Sequence, residues 1–292
     1  MKVSGFSFIR NAVLYDYPIV EAIRSVLPLC DEVVVAVGKS EDNTLHLVQN
    51  IDPQKVRIIE TTWDDSLRQG GRVLAQETDK AFKAISPDAD WAFYIQGDEV
   101  FHESGFSQVR QAMERYQHDD RVDGLLFDYL HFYGSYHYLG DSWRWYRREV
   151  RIVKNNPAIY SYRDAQGFRK GSNEKLRVRH CGGCIHHYGW VKPPQTMQQK
   201  QLTFNKLWHD DQWMSKNIPQ QTEWDYQRVD ALRPFEGEHP AVMGERVANQ
   251  NWAFDFDTQK KRLPAKEKLK RWAAGLTGIR FGEYKNYILL NH

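Results

Sequence analysis

The chain has 292 residues, 40 Lys and Arg against 38 Asp and Glu, a formal net charge of +2, 41% apolar and 27% charged residues. That is an ordinary globular composition, long enough to bury a real core, and its near-neutral balance carries no nucleic-acid footprint. Three Cys exclude an even disulfide framework and point to a reducing compartment, and no run approaches the roughly 18 apolar residues that span a bilayer.

The opening MKVSGFSFIRNA lacks a secretory pattern. The expectation is a cytoplasmic protein, membrane-peripheral at most. Residues 3–9 read as a short strand. Residues 17–27 carry Ile19, Val20, Ile23, Val26 and Leu27 at helical spacing, with Pro18 in the first turn. DEVVVAV at 31–37 is a β-branched buried strand, followed by the turn Gly38-Lys39-Ser40 and a short helix at 41–50. Strand 56–60, helix 67–85, strand 91–95, helix 106–116 and strand 124–127 continue the alternation. Strands separated by helices predict βαβ units, hence an α/β fold with a mostly parallel sheet.

Past Asp128 the pattern changes. Residues 127–145 are crowded with Tyr, Phe, His and Trp. Residues 149–153 and 158–162 flank Asn155-Asn156-Pro157 and suggest a hairpin. Residues 175–178 and 184–188 add β signals, with Gly182-Gly183 read as a turn between them. Residues 197–208 look helical, and the chain is polar and irregular from Trp213 onward. A boundary near 190 divides a region 1–190 from an extension 191–292. The chain holds ten Trp, and such side chains both fill cores and stack on sugar rings.

The richest segment is WAFYIQGDE at 91–99, a buried strand ending in Gly97, Asp98 and Glu99. Carboxylates at a strand's end lie where open α/β sheets bind ligands, and their hard oxygens suit Mg²⁺ or Mn²⁺. GKSEDNT at 38–44 offers helix caps in Ser40 or Asp42, or a nucleotide contact. In IHHYGW, His186 and His187 face opposite sides of a strand, so one can reach a metal while the other packs. Cys181 and Cys184 form a CxxC with no second pair, so a turn is preferred over zinc or redox chemistry. Arg68 and Arg72 share a helix face suited to a diphosphate. The basic run 260–271, with Leu263, Leu269, Trp272 and Leu276, reads as an amphipathic helix that either faces solvent or touches a membrane.

In this order the pieces resemble the family-2 glycosyltransferases of the GT-A fold, over residues 3–130 and more loosely to 190. Arg10-Asn11 resembles that family's first nucleotide loop. SEDNT at 40–44 is similar to the tail of its Asp-rich second loop, WAFYIQGDE to its Asp-x-Asp strand, and IHHYGW to the His segment completing its metal site. Gln96 stands where the first Asp is usual, and Val37, Gly38 and Lys39 replace the second loop's first acids and Gly. The resemblance implies a nucleotide-sugar donor bound by Arg10, Asn11, Ser40, Asp42, Arg68, Arg72, Gln96, Gly97 and Glu99, with Mn²⁺ or Mg²⁺ on Asp98 and His187. It implies inverting transfer to a carbohydrate or glycolipid acceptor, in polysaccharide or glycoconjugate biosynthesis. The base is sought among Asp128, Asp141, Asp164 and Glu174, with Asp164 favoured and Asp141 second. The aromatic band at 129–146 is the expected acceptor wall. Two rival readings are a nucleotidyltransferase, disfavoured because Arg10-Asn11-Ala12 holds no Gly cluster, and a non-catalytic carbohydrate-binding protein on a degenerate transferase fold.

Overall fold

The computed structural model describes residues 1–67, 70–217, 221–278 and 280–290. The strands are β1 Val3–Ile9, β2 Glu32–Gly38, β3 Val56–Thr61, β4 Trp91–Tyr94, β5 Glu99–Phe101, β6 Gly124–Tyr133 and β7 Ser135–Gly140. They continue as β8 Arg148–Lys154, β9 Ile159–Tyr162, β10 Gly167–Lys170, β11 Glu174–Lys175, β12 Arg177–Trp190, β13 Leu232–Pro234 and β14 Ile288–Leu289. The helices are α1 Ile19–Val26, α2 Thr44–Gln49, α3 Arg72–Lys83 and α4 Phe106–Tyr116, then α5 Pro194–Lys206, α6 Asp211–Asn217, α7 Gly244–Ala248 and α8 Ala265–Thr277.

The expected α/β alternation builds the first half. β3, β2, β1 and β4 lie side by side and parallel. β2 shows why an unbroken apolar run forms such a strand. Val33, Val35 and Val37 point to one face and pack with Ile19, Ile23 and Val26 of α1. Val34 and Ala36 point to the other and pack with Val73, Ala81 and Phe82 of α3. Both faces are covered, so no polar alternation survives. Beyond β4 the neighbours turn antiparallel: β8 pairs β4 and β6, and β7 extends β6. β12 runs parallel to β6 and antiparallel to β5, and β13 and β14 join the same 11-stranded sheet. The result is a large curled sheet flanked by helices.

Three local expectations are corrected. Residues 149–153 and 158–162 do not form a hairpin. β8 has both edges occupied by β4 and β6, so β9 finds no free edge and pairs β10 in a separate three-stranded sheet. Gly182-Gly183 is not a turn between strands but an irregularity within β12, between His180 and Cys184. Gly182 sits at φ 78° and a Cβ on Gly183 would lie 2.6 Å from the Phe127 ring, so the backbone bulges past β6 without breaking. The helix expected at 67–85 starts only at Arg72, because Gly70 and Gly71 take left-handed φ of 60° and 68°.

Candidate active site

The chain leaves β4 at Tyr94 and turns through Ile95–Asp98 into β5, which pairs with β12 so that His187 lies opposite Glu99. This crossover places Asp98 and His187 side by side at the carboxyl end of the parallel strands. Asp98 Oδ2 stands 3.8 Å from His187 Nε2 and 3.4 Å from Lys200 Nζ, which projects from α5. Burial works to raise the Asp98 carboxyl, but the ammonium groups beside it, Lys200 first, outweigh it and hold it at about 2. The carboxylate is therefore ionised.

His186 faces the opposite side, against Tyr188, Phe132 and His239. Of the doublet, His187 faces the site. Its tautomer follows from its neighbours. His131 Nε2 is 2.8 Å from the Tyr146 carbonyl, which can only accept, so that nitrogen carries the proton. His131 Nδ1 is then an acceptor, and His187 Nδ1, 3.3 Å away, donates to it. Burial pushes both imidazoles below their ordinary range, which keeps them neutral. His187 Nε2 is left with a bare lone pair aimed at Asp98. Two acceptors facing each other are stable only with something positive between or beside them.

That donor set fits a divalent ion of one kind. Asp98 and His187 are near enough to share it, and the His131 hydrogen bond orients His187 as a ligand requires. No group of three or more His, Cys, Asp or Glu suited to a metal occurs among the described residues. Mg²⁺-like ions with few protein ligands take the remainder from phosphate oxygens and water. The pair thus suits an ion arriving with a diphosphate.

Glu99 is not at the donor surface as expected. It is fully buried, paired to Arg151 through Oε1 at 2.6 Å and Oε2 at 2.8 Å, and it accepts from the Tyr129 hydroxyl at 2.8 Å. Removing one partner of such a pair costs about 3–5 kcal/mol, so Glu99 anchors the turn that presents Asp98. Gly97 is also buried. A Cβ there would lie 2.7 Å from Ile9 Cδ1, so the glycine serves packing rather than ligand approach.

The first two loops brace each other. Asn11, at φ 54°, accepts from Glu41 N with its side chain and donates its own N–H to Ser40 Oγ. Asp42 accepts from Leu14 N at 2.7 Å and Thr44 N at 2.9 Å. Arg10 pairs with Asp65 at 2.7 Å, over the Trp63 ring. The side chains of Asn11, Ser40, Asp42 and Arg10 are thus engaged by the protein. Arg72 is exposed and lines a cleft of about 570 Å³ with Trp208 and Trp213. Arg68 lies outside the described residues.

Gln96 donates through Nε2 to the Ala165 carbonyl at 3.0 Å, tying the loop of Asp164 to the end of β4. Arg163 and Ala165, on either side of Asp164, hold left-handed φ of 56° and 64°, a costly conformation that collects at functional sites. Burial raises the Asp164 carboxyl above its ordinary range. A Cβ on Gly71 would lie 2.8 Å from Asp164 Cβ and 3.1 Å from the Trp208 ring, so Asp164 abuts the rim of the Arg72 cleft. Asp141 is placed differently. It is clamped by Lys261 at 3.0 Å and Arg271 at 3.1 Å, a brace for α8 rather than a base. The aromatic band stays together: Tyr129 and His131, which support Glu99 and His187, line a second cleft of about 520 Å³ along with Trp143, Trp145 and Tyr146.

Cys30, Cys181 and Cys184 are free thiols, and burial pushes Cys181 and Cys184 up to about 12. Sequence reasoning missed Lys200, Lys192 and His131. The only signal was a lack: the buried face of α5 reads Met197, Gln198, Lys200 and Gln201, with no apolar stripe.

No protein-family model matches the chain, and no curated protein matches its sequence. Among solved structures it is similar to S. aureus TarS, residues 1–349, at 12% identity and a TM-score of 0.42, covering 70% of this chain and 64% of that one. It is similar to glucosyl-3-phosphoglycerate synthase from Mycobacterium tuberculosis, held with Mn²⁺, UDP and glucosyl-3-phosphoglycerate, at 17% identity and a TM-score of 0.31, covering 46% and 45%. It is also similar to 4-diphosphocytidyl-2C-methyl-D-erythritol synthase from Anaerococcus prevotii, at 13% identity and a TM-score of 0.37, covering 70% and 96%. Likenesses this slight carry no weight for activity, which rests on the site's own geometry.

Proposed function

We propose that the protein transfers a sugar from a nucleotide-sugar donor to an acceptor hydroxyl. One observation carries the reading: an ionised Asp98 and the bare Nε2 of His187 face each other at 3.8 Å beside a buried ammonium, at the carboxyl edge of the sheet. That is a place for a diphosphate and its cation. Mn²⁺ or Mg²⁺ would be held by Asp98 and His187, and when bound it supplies Lewis-acid stabilisation of the departing diphosphate.

Asp164 acts from the other side of Gln96. Its carboxylate takes the proton of the acceptor hydroxyl as that oxygen attacks the anomeric carbon. The bond from that carbon to the diphosphate oxygen breaks, and its electron pair leaves with the diphosphate. Attack opposite the leaving group inverts the anomeric centre. The acceptor, a carbohydrate or glycolipid, lies in the cleft of Arg72, Trp208 and Trp213, where indole faces stack on sugar C–H groups. Building a polysaccharide or glycoconjugate is the setting that suits this chemistry, in a cytoplasmic enzyme that meets a membrane through α8. The loop after β1 is sealed by the Asn11–Ser40 and Arg10–Asp65 contacts and has no glycine cradle, which disfavours nucleotidyl transfer.

The test is turnover of a panel of nucleotide sugars, with Mn²⁺ and a set of sugar acceptors. Release of nucleoside diphosphate that disappears in Asp98→Ala supports the reading. Sugar binding without turnover of any donor replaces it with the carbohydrate-binding alternative.

A further inference from the structure

The cleft of about 520 Å³ takes no part in the chemistry proposed above. It shares no lining residue with the cleft of Arg72, and its size falls in the range of about 300–1,000 Å³ usual for small-molecule sites. One wall comes from β6, β7 and the loop after β7. The other comes from α8 and its end, where Ala274 and Gly278 are too small to fill the space. Trp143, Trp145 and Tyr146 supply aromatic surface. Gly140 lets Trp145 settle there, since a Cβ on it would strike the indole. Trp143 carries two guanidinium groups over its ring, Arg280 at 4.3 Å and Arg271 at 5.7 Å from the centroid, which presets both forks. Ser142 Oγ, Trp145 Nε1 and Arg280 Nε, all on lining residues, are buried without a hydrogen-bond partner among the described residues. Such orphans are costly and rare in native proteins.

The charge of the lining is lopsided. Four guanidinium groups, of Arg147, Arg233, Arg271 and Arg280, stand against two carboxylates, of Asp128 and Asp141. The ion-pair partners just outside leave that balance unchanged. Arg148 answers Asp128 and Lys261 answers Asp141, while Glu283 answers Arg147 and Glu267 answers Arg271. His180, beside Asp128, can only add positive charge. Arg233 is exposed on β13 and makes no ion pair among the described residues.

We propose that this cleft binds an anionic saccharide, a sugar unit bearing a carboxylate or a phosphate, at a site separate from those of donor and acceptor. The proposal goes beyond the sugar-transfer reading and does not depend on it. Aromatic walls take the C–H faces of a sugar ring. Arg233 and the preset forks take its anionic group through charge-assisted hydrogen bonds. A neutral sugar uses the walls alone, and a bare anion uses the guanidinium groups alone, so each binds more weakly than the two chemistries joined in one molecule.

The experiment is a calorimetric titration of the whole protein with tetragalacturonate, glucose 6-phosphate, neutral cellotetraose and inorganic phosphate, at about 0.15 M ionic strength to screen diffuse attraction. It compares the wild type with Arg233→Glu, Arg233→Gln and, in the other cleft, Trp213→Ala. At least one of the two acidic sugars binds the wild type about tenfold or more tightly than cellotetraose and inorganic phosphate do. Which of the two binds tells a carboxylate site from a phosphate site. Both Arg233 variants weaken that binding about tenfold or more, and Trp213→Ala leaves it unchanged. Binding unchanged in the Arg233 variants but lost in Trp213→Ala places the sugar in the Arg72 cleft and overturns the proposal. Equal binding of cellotetraose, equal binding of inorganic phosphate, or no binding of either acidic sugar overturns it too. Arg233→Gln keeps the test decisive should the charge reversal not fold. Nucleoside diphosphate release from the donor panel, measured alongside, decides sugar transfer on its own.

Discussion

At the scale of single residues, the site depends on side chains whose states are set by neighbours. His187 presents a lone pair because a carbonyl fixes His131 and His131 fixes His187. Asp98 is legible in the sequence because a carboxylate ending a buried apolar strand lies at the ligand-binding edge of an α/β sheet. Its partner Lys200 is not legible, since 102 residues separate them and nothing in α5 marks Lys200 over Lys206. Glu99, adjacent to Asp98, shows the limit of such reading: the side chains alternate, and one faces the site while the other is buried on Arg151. Asp164 carries the sharpest consequence. Burial raises its carboxyl, so it must lose a proton at a pH above the usual aspartate range before it can act as base. The acid limb of kcat/KM therefore lies above that of an ordinary Asp. Asp164→Asn lowers kcat by about 10²–10⁴ while leaving nucleoside diphosphate binding intact. Unchanged kcat in that variant returns the base to another residue.

At the scale of elements, periodicity located the strands and helices whose partners are local, and failed where a partner decided. β8 and β9 look like a hairpin because each is a good strand beside a good turn, but occupied edges sent β9 to another layer. β12 looks like two strands because two glycines interrupt it, but β6 holds the whole length together. The expected amphipathic helix is α8, but it starts only at Ala265, after Pro264, and Leu263 lies before it and is buried instead of joining its exposed apolar face. Leu269, Trp272 and Leu276 are 65%, 65% and 69% exposed on one face, flanked by exposed Lys266 and Lys268. No helix among the described residues is long and apolar enough to cross a membrane. Such a face has the chemistry of a helix that rests in a lipid interface, and that contact is the proposal tested next. The protein should co-sediment with vesicles containing anionic lipid, and Leu269→Glu with Trp272→Glu should abolish this without changing donor turnover. Equal sedimentation of the double variant would leave the stripe without that role.

At the scale of the whole molecule, a buried polar network ties the site to stability. Glu149 packs beneath the Asp164 loop, accepting from Gln166 Nε2 at 3.2 Å, and burial raises its carboxyl from 4.5 to about 7. Below pH 4.5 both folded and unfolded chains hold the proton. Between 4.5 and 7 the folded chain keeps a proton that the unfolded chain has shed, so this contribution is lost as pH rises. It amounts to on the order of 3 kcal/mol across that window. Denaturant titrations should show the wild type losing stability relative to Glu149→Gln from pH 4.5 to 7.5. A difference that does not vary with pH would mean that Glu149 is ionised when folded.

The account turns on a cation and a diphosphate meeting between Asp98 and His187. The most direct measurement is the position of manganese, from its anomalous scattering, in a crystal of the protein grown with Mn²⁺ and the nucleoside diphosphate it binds. The account predicts one ion coordinated by an Asp98 oxygen, His187 Nε2 and both phosphates. A nucleotide seated elsewhere, with the Asp98–His187 gap unchanged, would contradict it.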